Sequence, residues 1–271
     1  MHPSSEPIHS YDPVYFSPLF EIEERHFWFR ARNRMIGSLV EAETSQYPEG
    51  YRVLEIGCGT GNVLQLLENV CRNGRVIGMD LFHEGLDFAR RRVSCSLVQG
   101  DLHASPFATQ FQIVGMFDVL EHLSDDREVL QDVYEMLAPG GLLFLTVPAY
   151  PSLWSYFDEA SHHARRYMLA DLNQKLEKTG FQIAQISYYM LSILPLVWAG
   201  RKLQGKNPPR NVDSDKVAHD LAVNELKIIP VINEILEWIL ERETWWLKQK
   251  IRLPAGTSLL ALARKPGKII L

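Results

Sequence analysis

Apolar positions along the chain fall into two alternating spacings. Short, dense apolar runs rich in β-branched residues predict buried strands at Val53–Ile56, Arg75–Asp80, Ser96–Asp101, Gln112–Phe117, Leu142–Pro148, Phe181–Tyr189 and Thr257–Arg264. Between the first five of these and before the sixth, apolar residues recur every three or four positions, which predicts helices at Val63–Glu68, His83–Arg92, Arg127–Leu137 and Leu169–Gly180. A further helical text runs from Leu19 to Ile36. Its acids Glu21, Glu23 and Glu24 precede its arginines, the order that a helix dipole favours. Strands alternating with helices of this length predict an α/β domain with a parallel sheet covered on both faces.

Two stretches lie outside that alternation. Met1–Pro18 is rich in Pro, Ser and His and reads as an irregular arm. The gap Met190–Gly256, between the last two strands, is far longer than an ordinary connection. It holds an apolar piece (Leu191–Leu203), a polar bridge (Gln204–Asp215) and a helical stretch from about Asp220 to Lys250. That stretch carries Leu226, Ile229, Ile232, Ile235, Leu236, Ile239 and Leu240, with Trp238, Trp245 and Trp246. The expected organisation is an arm over 1–18, one domain over 19–189 with 257–271, and a helical insertion over 190–256. Three uses of the insertion compete: a cap over an acceptor site, a homodimer face, or an interfacial membrane helix with Lys248, Lys250 and Arg252 near the headgroups. Glu225, Glu234, Glu237, Glu241 and Glu243 speak against the membrane, since anionic lipid would repel them.

Composition narrows the class. With 271 residues, 46% of them hydrophobic, the chain can bury a large core. A formal net charge of −5 argues against nucleic acid held on a broad basic surface. Cys58, Cys71 and Cys95 cannot all pair and show no CxxC spacing, so reduced thiols are expected. The first residues show no basic stretch leading into an apolar one, and no apolar run approaches the ~20 residues that span a bilayer. A soluble, cytoplasmic protein is expected, with peripheral membrane contact left open by the insertion.

The chemistry concentrates in Arg52–Asn62. A strand breaks at Gly57, Gly59 and Gly61 and turns directly into a helix, so that a ligand can lie against bare backbone near a helix N-terminus. The spacing is tighter than the G-x-G-x-x-G of dinucleotide sites, and no Lys-Ser/Thr follows for a P-loop. Glu55, ahead of the first glycine, would repel a pyrophosphate but suits an amine or a sulfonium. Further acids recur at the ends of successive predicted strands: Asp80, about 20 residues past the loop and in reach of ribose hydroxyls, then Asp101 and Asp118.

At these residues the chain resembles the class I S-adenosylmethionine (AdoMet)-dependent methyltransferases, whose first motif is matched by Glu55, Gly57, Gly59 and Gly61. The Leu-Ala-Pro-Gly-Gly turn at 137–141 is similar too. The resemblance implies a three-layer α/β/α Rossmann-like fold. Its sheet would have seven mostly parallel strands with the last antiparallel, here with a helical insertion before that strand. It implies AdoMet as cofactor and S-adenosylhomocysteine as product, held by Arg32, Glu55, Gly57, Cys58, Gly59, Gly61, Asp80, Leu81, Asp101, Leu102 and Asp118. Asp101 would accept from the adenine amino group while Leu102 packs on the ring. An aromatic-rich helix with an arginine, here His26–Ile36, is similar to one in many bacterial members. Phe27, Trp28 and Phe29 either pin it to the sheet or make it a lid, with Arg32 pairing a carboxylate.

The loop Pro148–Tyr167 concentrates Tyr, His and Arg, and loops of this kind carry chemistry. A comparable Asp, His, Arg-Tyr stretch lies on the acceptor side in one branch of the family. Tyr150, Asp158, Arg166 and Tyr167 are therefore candidate substrate residues, against a purely structural role for Tyr167 and the arginines. His163 and His122 are the candidate bases for an acceptor that must lose a proton, with His122 also readable as a structural imidazole. His162 and His163 lack third and fourth ligands at a familiar spacing, so no metal is expected. The acceptor expected is a small molecule, apolar or lipid-linked, and the reaction an in-line displacement. A non-catalytic AdoMet-binding or scaffold protein remains an alternative, as does an NAD(P)-dependent oxidoreductase, against which the glycine spacing and Glu55 speak.

Overall fold

The computed structural model describes residues 11–45, 47–204 and 227–267. Seven strands form one sheet: β1 (Arg52–Ile56), β2 (Arg75–Asp80), β3 (Ser96–Gln99), β4 (Phe111–Phe117), β5 (Leu137–Pro148), β6 (Gln182–Tyr189) and β7 (Ser258–Arg264). Their order is β3-β2-β1-β4-β5-β7-β6; β1 to β5 pair in parallel and β7 runs antiparallel to both of its neighbours. The central strands are apolar because both faces are covered. Every residue of β4 is buried, as are Val53–Ile56 of β1. Chain order reverses between β1 and β4, and an open sheet keeps its ligand crevice at such a point.

The helices are α1 (Phe16–Ile22), α2 (Phe27–Thr44), α3 (Asn62–Val70), α4 (His83–Ala89), α5 (Asp126–Met136), α6 (Tyr156–Ala160), α7 (Leu169–Thr179), α8 (Leu194–Gln204) and α9 (Pro230–Lys248). They flank the sheet; α9 packs on α2 and α2 on α3, while α5 packs on α7. α7 ends at Gly180 in the left-handed conformation, as its position after the last apolar residue foretells.

Several boundaries differ from the sequence reading, each for a physical reason. The arm is not irregular to Pro18: Asp12 caps a single turn at Pro13–Tyr15, and α1 follows with Pro18 in its first turn, where no backbone N–H is needed. Met1–Ser10 lie outside the described residues. The stretch from Leu19 is two helices, because the chain turns at Glu23–His26 and the His26 ring caps α2 by accepting from Trp28 N–H. Glu21, Glu23 and Glu24 therefore sit at the end of α1, and the dipole order read along one helix does not hold. The turn at Ala138–Gly141 lies inside β5, whose first residue Leu137 already pairs with Phe111 before a register shift. In the insertion, the polar bridge beyond Gln204 and the start of the long helical stretch, including Leu226, lie outside the described residues. α9 begins at Pro230, a residue suited to a first helical position. No helix among the described residues is long and apolar enough to cross a membrane. All three cysteines are free thiols.

Candidate active site

A cavity of about 480 Å³ opens over the C-terminal ends of β1, β2 and β4. One wall is the loop after β1. Gly57 and Gly61 have φ of 70° and 79°, a region that side-chain-bearing residues rarely adopt. A Cβ on Gly57 would stand 2.5 Å from Val119 Cγ2, so the loop can turn only with glycine there. Asp80 fastens the loop from the end of β2: its Oδ2 accepts from Gly59 N–H at 2.7 Å and its Oδ1 from Phe82 N–H at 2.9 Å. Burial pushes the Asp80 carboxyl up, and these N–H groups pull it back.

Glu55 is 2% exposed and lines the same cavity. Its Oε2 has no hydrogen-bond partner among the described residues, and burial raises its carboxyl well above the usual range, with Arg32 opposing. An orphaned buried carboxylate facing a cavity is a group prepared for a ligand. Arg32 reaches from α2 to Asp118 Oδ2 at 2.8 Å, while Asp118 Oδ1 accepts from Thr146 Oγ1. Asp118 holds a φ of 57°, strain that this double anchoring sustains. Arg32 also lies over the Trp28 ring at 4.9 Å.

The N-terminal helices close this end. Phe16 packs against the glycine loop and α4. Glu23, at the α1–α2 turn, accepts from Thr60 Oγ1 and from Arg92, both at 2.5 Å. Because α4 stops at Ala89, Arg92 turns inward, and its other nitrogen donates to the Phe20 carbonyl. Tyr11 lies between Phe82 and His122, its ring centroid 5.6 Å from the His122 ring.

The opposite end is a cluster of acid and imidazole. His163 Nδ1 stands 2.9 Å from Asp158 Oδ1, and its Nε2 is 4.0 Å from Glu121 Oε1. Arg166 donates to Asp158 at 2.6 Å and to the Ala149 carbonyl. Burial pushes Asp158 up, but His163 and Arg166 outweigh it and hold the carboxyl at about 2. Glu121 goes the other way: burial, joined by the Asp118 charge, raises it well above the usual range. The His122 and His163 rings meet edge to face at 4.7 Å. Ligand atoms of Glu121, His122 and His163 lie within 4.8 Å of one another, a third group that linear spacing did not offer.

Of the expected cofactor residues, Arg32, Glu55, Gly57, Cys58, Gly59, Asp80, Leu81, Asp101, Leu102 and Asp118 line the cavity, and Gly61 stands behind it as the N-cap of α3. His122, His163 and Arg166 line it too. Three expected substrate residues do not. Tyr167 is fully buried and its hydroxyl donates to Asp126 Oδ2, because its side chain points toward α5. Tyr150 stacks on Tyr188 at 5.0 Å, away from the cavity. Asp158 is fully buried behind His163 and Arg166, so it orients them and touches no solute. The sequence reading did not single out Tyr11, Phe16, Glu23 or Glu121, nor Ile193, Val197 and Arg201 of α8 and the loop before it, all of which line the cavity. Glu121 carried a signal, standing beside His122 just after β4, and Ile193 and Val197 fall in the apolar piece Leu191–Leu203 of the insertion.

The family model for a methyltransferase domain matches residues 20–186. The chain is 28% identical over 166 residues to a probable S-adenosylmethionine-dependent methyltransferase of Mycolicibacterium smegmatis, covering 60% of this chain and 62% of that protein. It is 36% identical over 102 residues to the 2-phytyl-1,4-naphtoquinone methyltransferase of Thermosynechococcus vestitus, covering 35% of this chain and 45% of that one. These matches span about half the length of the curated relatives. The fold is similar to that of the plantazolicin methyltransferase BpumL in complex with SAH (TM-score 0.57, 15% identity, 93% of this chain and 90% of that one). It is also similar to that of the phosphoethanolamine N-methyltransferase 2 of Haemonchus contortus bound to S-adenosyl-L-methionine (TM-score 0.52, 18% identity, 84% and 52%).

Proposed function

The chain belongs to the class I S-adenosylmethionine-dependent methyltransferase family, and we propose that it methylates a small apolar acceptor, with a quinol-like or isoprenoid-like compound as the favoured class. One observation carries the reading. A single cavity has a glycine loop with the orphaned Glu55 carboxylate at one end and an Asp-braced imidazole at the other. AdoMet fits the first end, because its amino group and sulfonium are the kind of positive ligand that Glu55 lacks. Asp80 retains lone pairs for ribose hydroxyls, Asp101 and Leu102 take the adenine, and Arg32 with Asp118 closes the mouth. When bound, AdoMet supplies a methyl group for in-line displacement.

The chain's own work is to hold the acceptor and move its proton. Asp158 fixes His163 as the tautomer with a proton on Nδ1, which leaves the Nε2 lone pair toward the cavity as general base. Glu121, whose carboxyl burial raises well above the usual range, would in its protonated form donate a hydrogen bond to the acceptor oxygen. Apolar walls from Phe157, Ile193 and Val197 exclude water and favour a greasy acceptor. The named substrate of the naphtoquinone relative supports that class.

Isothermal titration with S-adenosylhomocysteine tests the cofactor half, comparing wild type with Asp80→Asn, which keeps one acceptor for the loop. Transfer of labelled methyl from AdoMet to a panel of demethylated quinols and polar phenols tests the other half. Tight binding without transfer to any member would favour the scaffold reading.

A further inference from the structure

α9 leaves a broad apolar side outward, while the side it buries mixes polar residues with Leu240 and Leu247. At 3.6 residues per turn, Asn233, Glu237, Glu243 and Thr244 fall on one side, and Val231, Ile235, Trp238, Trp245 and Trp246 fall on the opposite one. A surface helix in water normally buries the apolar side. Here Val231 is 68%, Trp238 56% and Trp245 59% exposed, while Glu237 and Glu243 are under a tenth exposed. Specific bonds hold that orientation. Asn233 accepts from Phe27 N–H and donates to the Arg25 carbonyl, Glu237 pairs with Arg30 and Arg34, and Glu243 accepts from Leu191 and Ser192 N–H. Rotating the helix to hide its tryptophans would break all of them. Half-exposed tryptophans alone leave roughly 300 Å² of apolar surface open, the size of patch that marks an interaction site.

We propose that this outer face of α9 docks into the interfacial layer of an anionic lipid leaflet. Charge and residue type identify the occupant. Tryptophan is the residue of the headgroup boundary, apolar in body with one polar N–H. Arg242 lies within the stripe, its guanidinium 3.9 Å above the Trp238 ring, and Lys248 is exposed at the helix end. Lys202 repeats the arrangement on α8, 3.8 Å above the exposed Trp198 ring. Such cations lay their stems on apolar surface and offer their heads to phosphates. Of the five glutamates that spoke against a membrane, Glu237 and Glu243 face the protein, Glu241 pairs with Arg34, Glu234 is exposed on the flank, and Glu225 lies outside the described residues. A second copy of this chain fits less well. A two-fold contact through the stripe would bring Arg242 toward its own image with no acid in the stripe to answer it. Asn233, on the inner side of α9, accepts from the backbone N–H of Phe27, a residue of the cavity wall, so the side of α9 opposite the docked face is tied to that wall. The proposal deepens the reading of an apolar acceptor, and its test does not depend on that reading.

The full chain would be sedimented with vesicles of phosphatidylcholine alone and of phosphatidylcholine mixed with phosphatidylglycerol, with tryptophan emission followed in parallel. The expected result is partition at least ~10-fold stronger into the mixed vesicles, a blue-shifted emission, and weakening by salt. Trp238→Glu with Trp245→Glu should lower partition at least ~10-fold, and Arg242→Glu should remove the preference for the anionic lipid. Because these side chains face solvent, the variants should keep the wild-type melting temperature and S-adenosylhomocysteine affinity, which separates this outcome from failure of the cofactor site. Equal partition into both vesicles, absence of partition, or a concentration-dependent dimer that the tryptophan variants split would each overturn the proposal.

Discussion

At Glu55, stability and binding oppose each other. The carboxyl is buried with an oxygen unsatisfied and its pKa is raised, so the folded state holds a proton more tightly than the unfolded chain does. Its penalty therefore grows as pH rises above the ordinary glutamate range. Glu55→Gln should raise the melting temperature of the ligand-free protein at neutral pH by about 2–4 °C for each kcal/mol relieved. The same change should weaken S-adenosylhomocysteine binding by about tenfold or more in titration. Asp158 has the opposite sign. Held at about 2 in the folded protein, it contributes stability that is fully present above the ordinary aspartate pKa and is lost as pH falls from about 4 toward 2. That contribution is about 2 kcal/mol, and a denaturation series across the window measures it. Asp158→Asn should lower kcat by about 10²-fold or more through the His163 tautomer, with the KM for AdoMet nearly unchanged. A parallel loss of cofactor affinity would show that Asp158 only holds the loop together.

At the scale of elements, the glycine loop is the joint between β1 and α3. Gly57→Ala adds a Cβ at 2.5 Å from Val119 Cγ2 on a positive-φ residue, so two separate penalties arise. The expected cost is about 2–4 kcal/mol in chemical denaturation, together with loss of cofactor binding. Pairing it with Val119→Ala should return the steric part and leave about 1 kcal/mol from the backbone. The α1–α2 turn is a second joint, tied to Thr60 through Glu23 and Arg92. Both partners are buried, so Glu23→Gln should destabilise by about 3 kcal/mol and raise the off-rate of S-adenosylhomocysteine, read by stopped-flow fluorescence.

Across the whole molecule, the two ends proposed for cofactor and acceptor share one cavity but stand on different parts of the chain: β1 and β2 with the N-terminal helices, against the loops after β4 and β5 with α8. A ligand that binds only the folded state at about 100 times its Kd adds about 2.7 kcal/mol, or roughly 5–10 °C in melting temperature. S-Adenosylhomocysteine should give that shift in wild type and in His163→Ala, and little of it in Asp80→Asn. Loss of the shift in His163→Ala would mean that the two ends are not separable.

Local rules made much of this legible in advance. Strand order of appearance, the glycine loop and the acids at strand ends follow from residue spacing, because a short buried strand, a positive-φ turn and a helix start each demand particular side chains within a few positions. The sequence by itself therefore determined the fold class and the glycine loop with its acids Glu55, Asp80, Asp101 and Asp118, whereas Arg32, Cys58, Leu81 and Leu102, which also line the cavity, came in only through the family resemblance. Only tertiary structure decided the rest. Tyr150 and Tyr167 look like site residues in a loop rich in His and Arg, but which way a loop side chain points depends on distant partners, here Tyr188 and Asp126. Glu23 reaches Arg92 across 69 positions and His163 meets Glu121 across the sheet's loops, pairings that no local pattern encodes. α9 shows the limit most plainly. Its periodicity fixes that it has a greasy stripe, yet which side faces the protein depended on distant partners: the core that takes Leu240 and Leu247, and Arg30, Arg34 and the α2 N-terminus, which pair with Glu237 and Asn233 and leave the tryptophans outside.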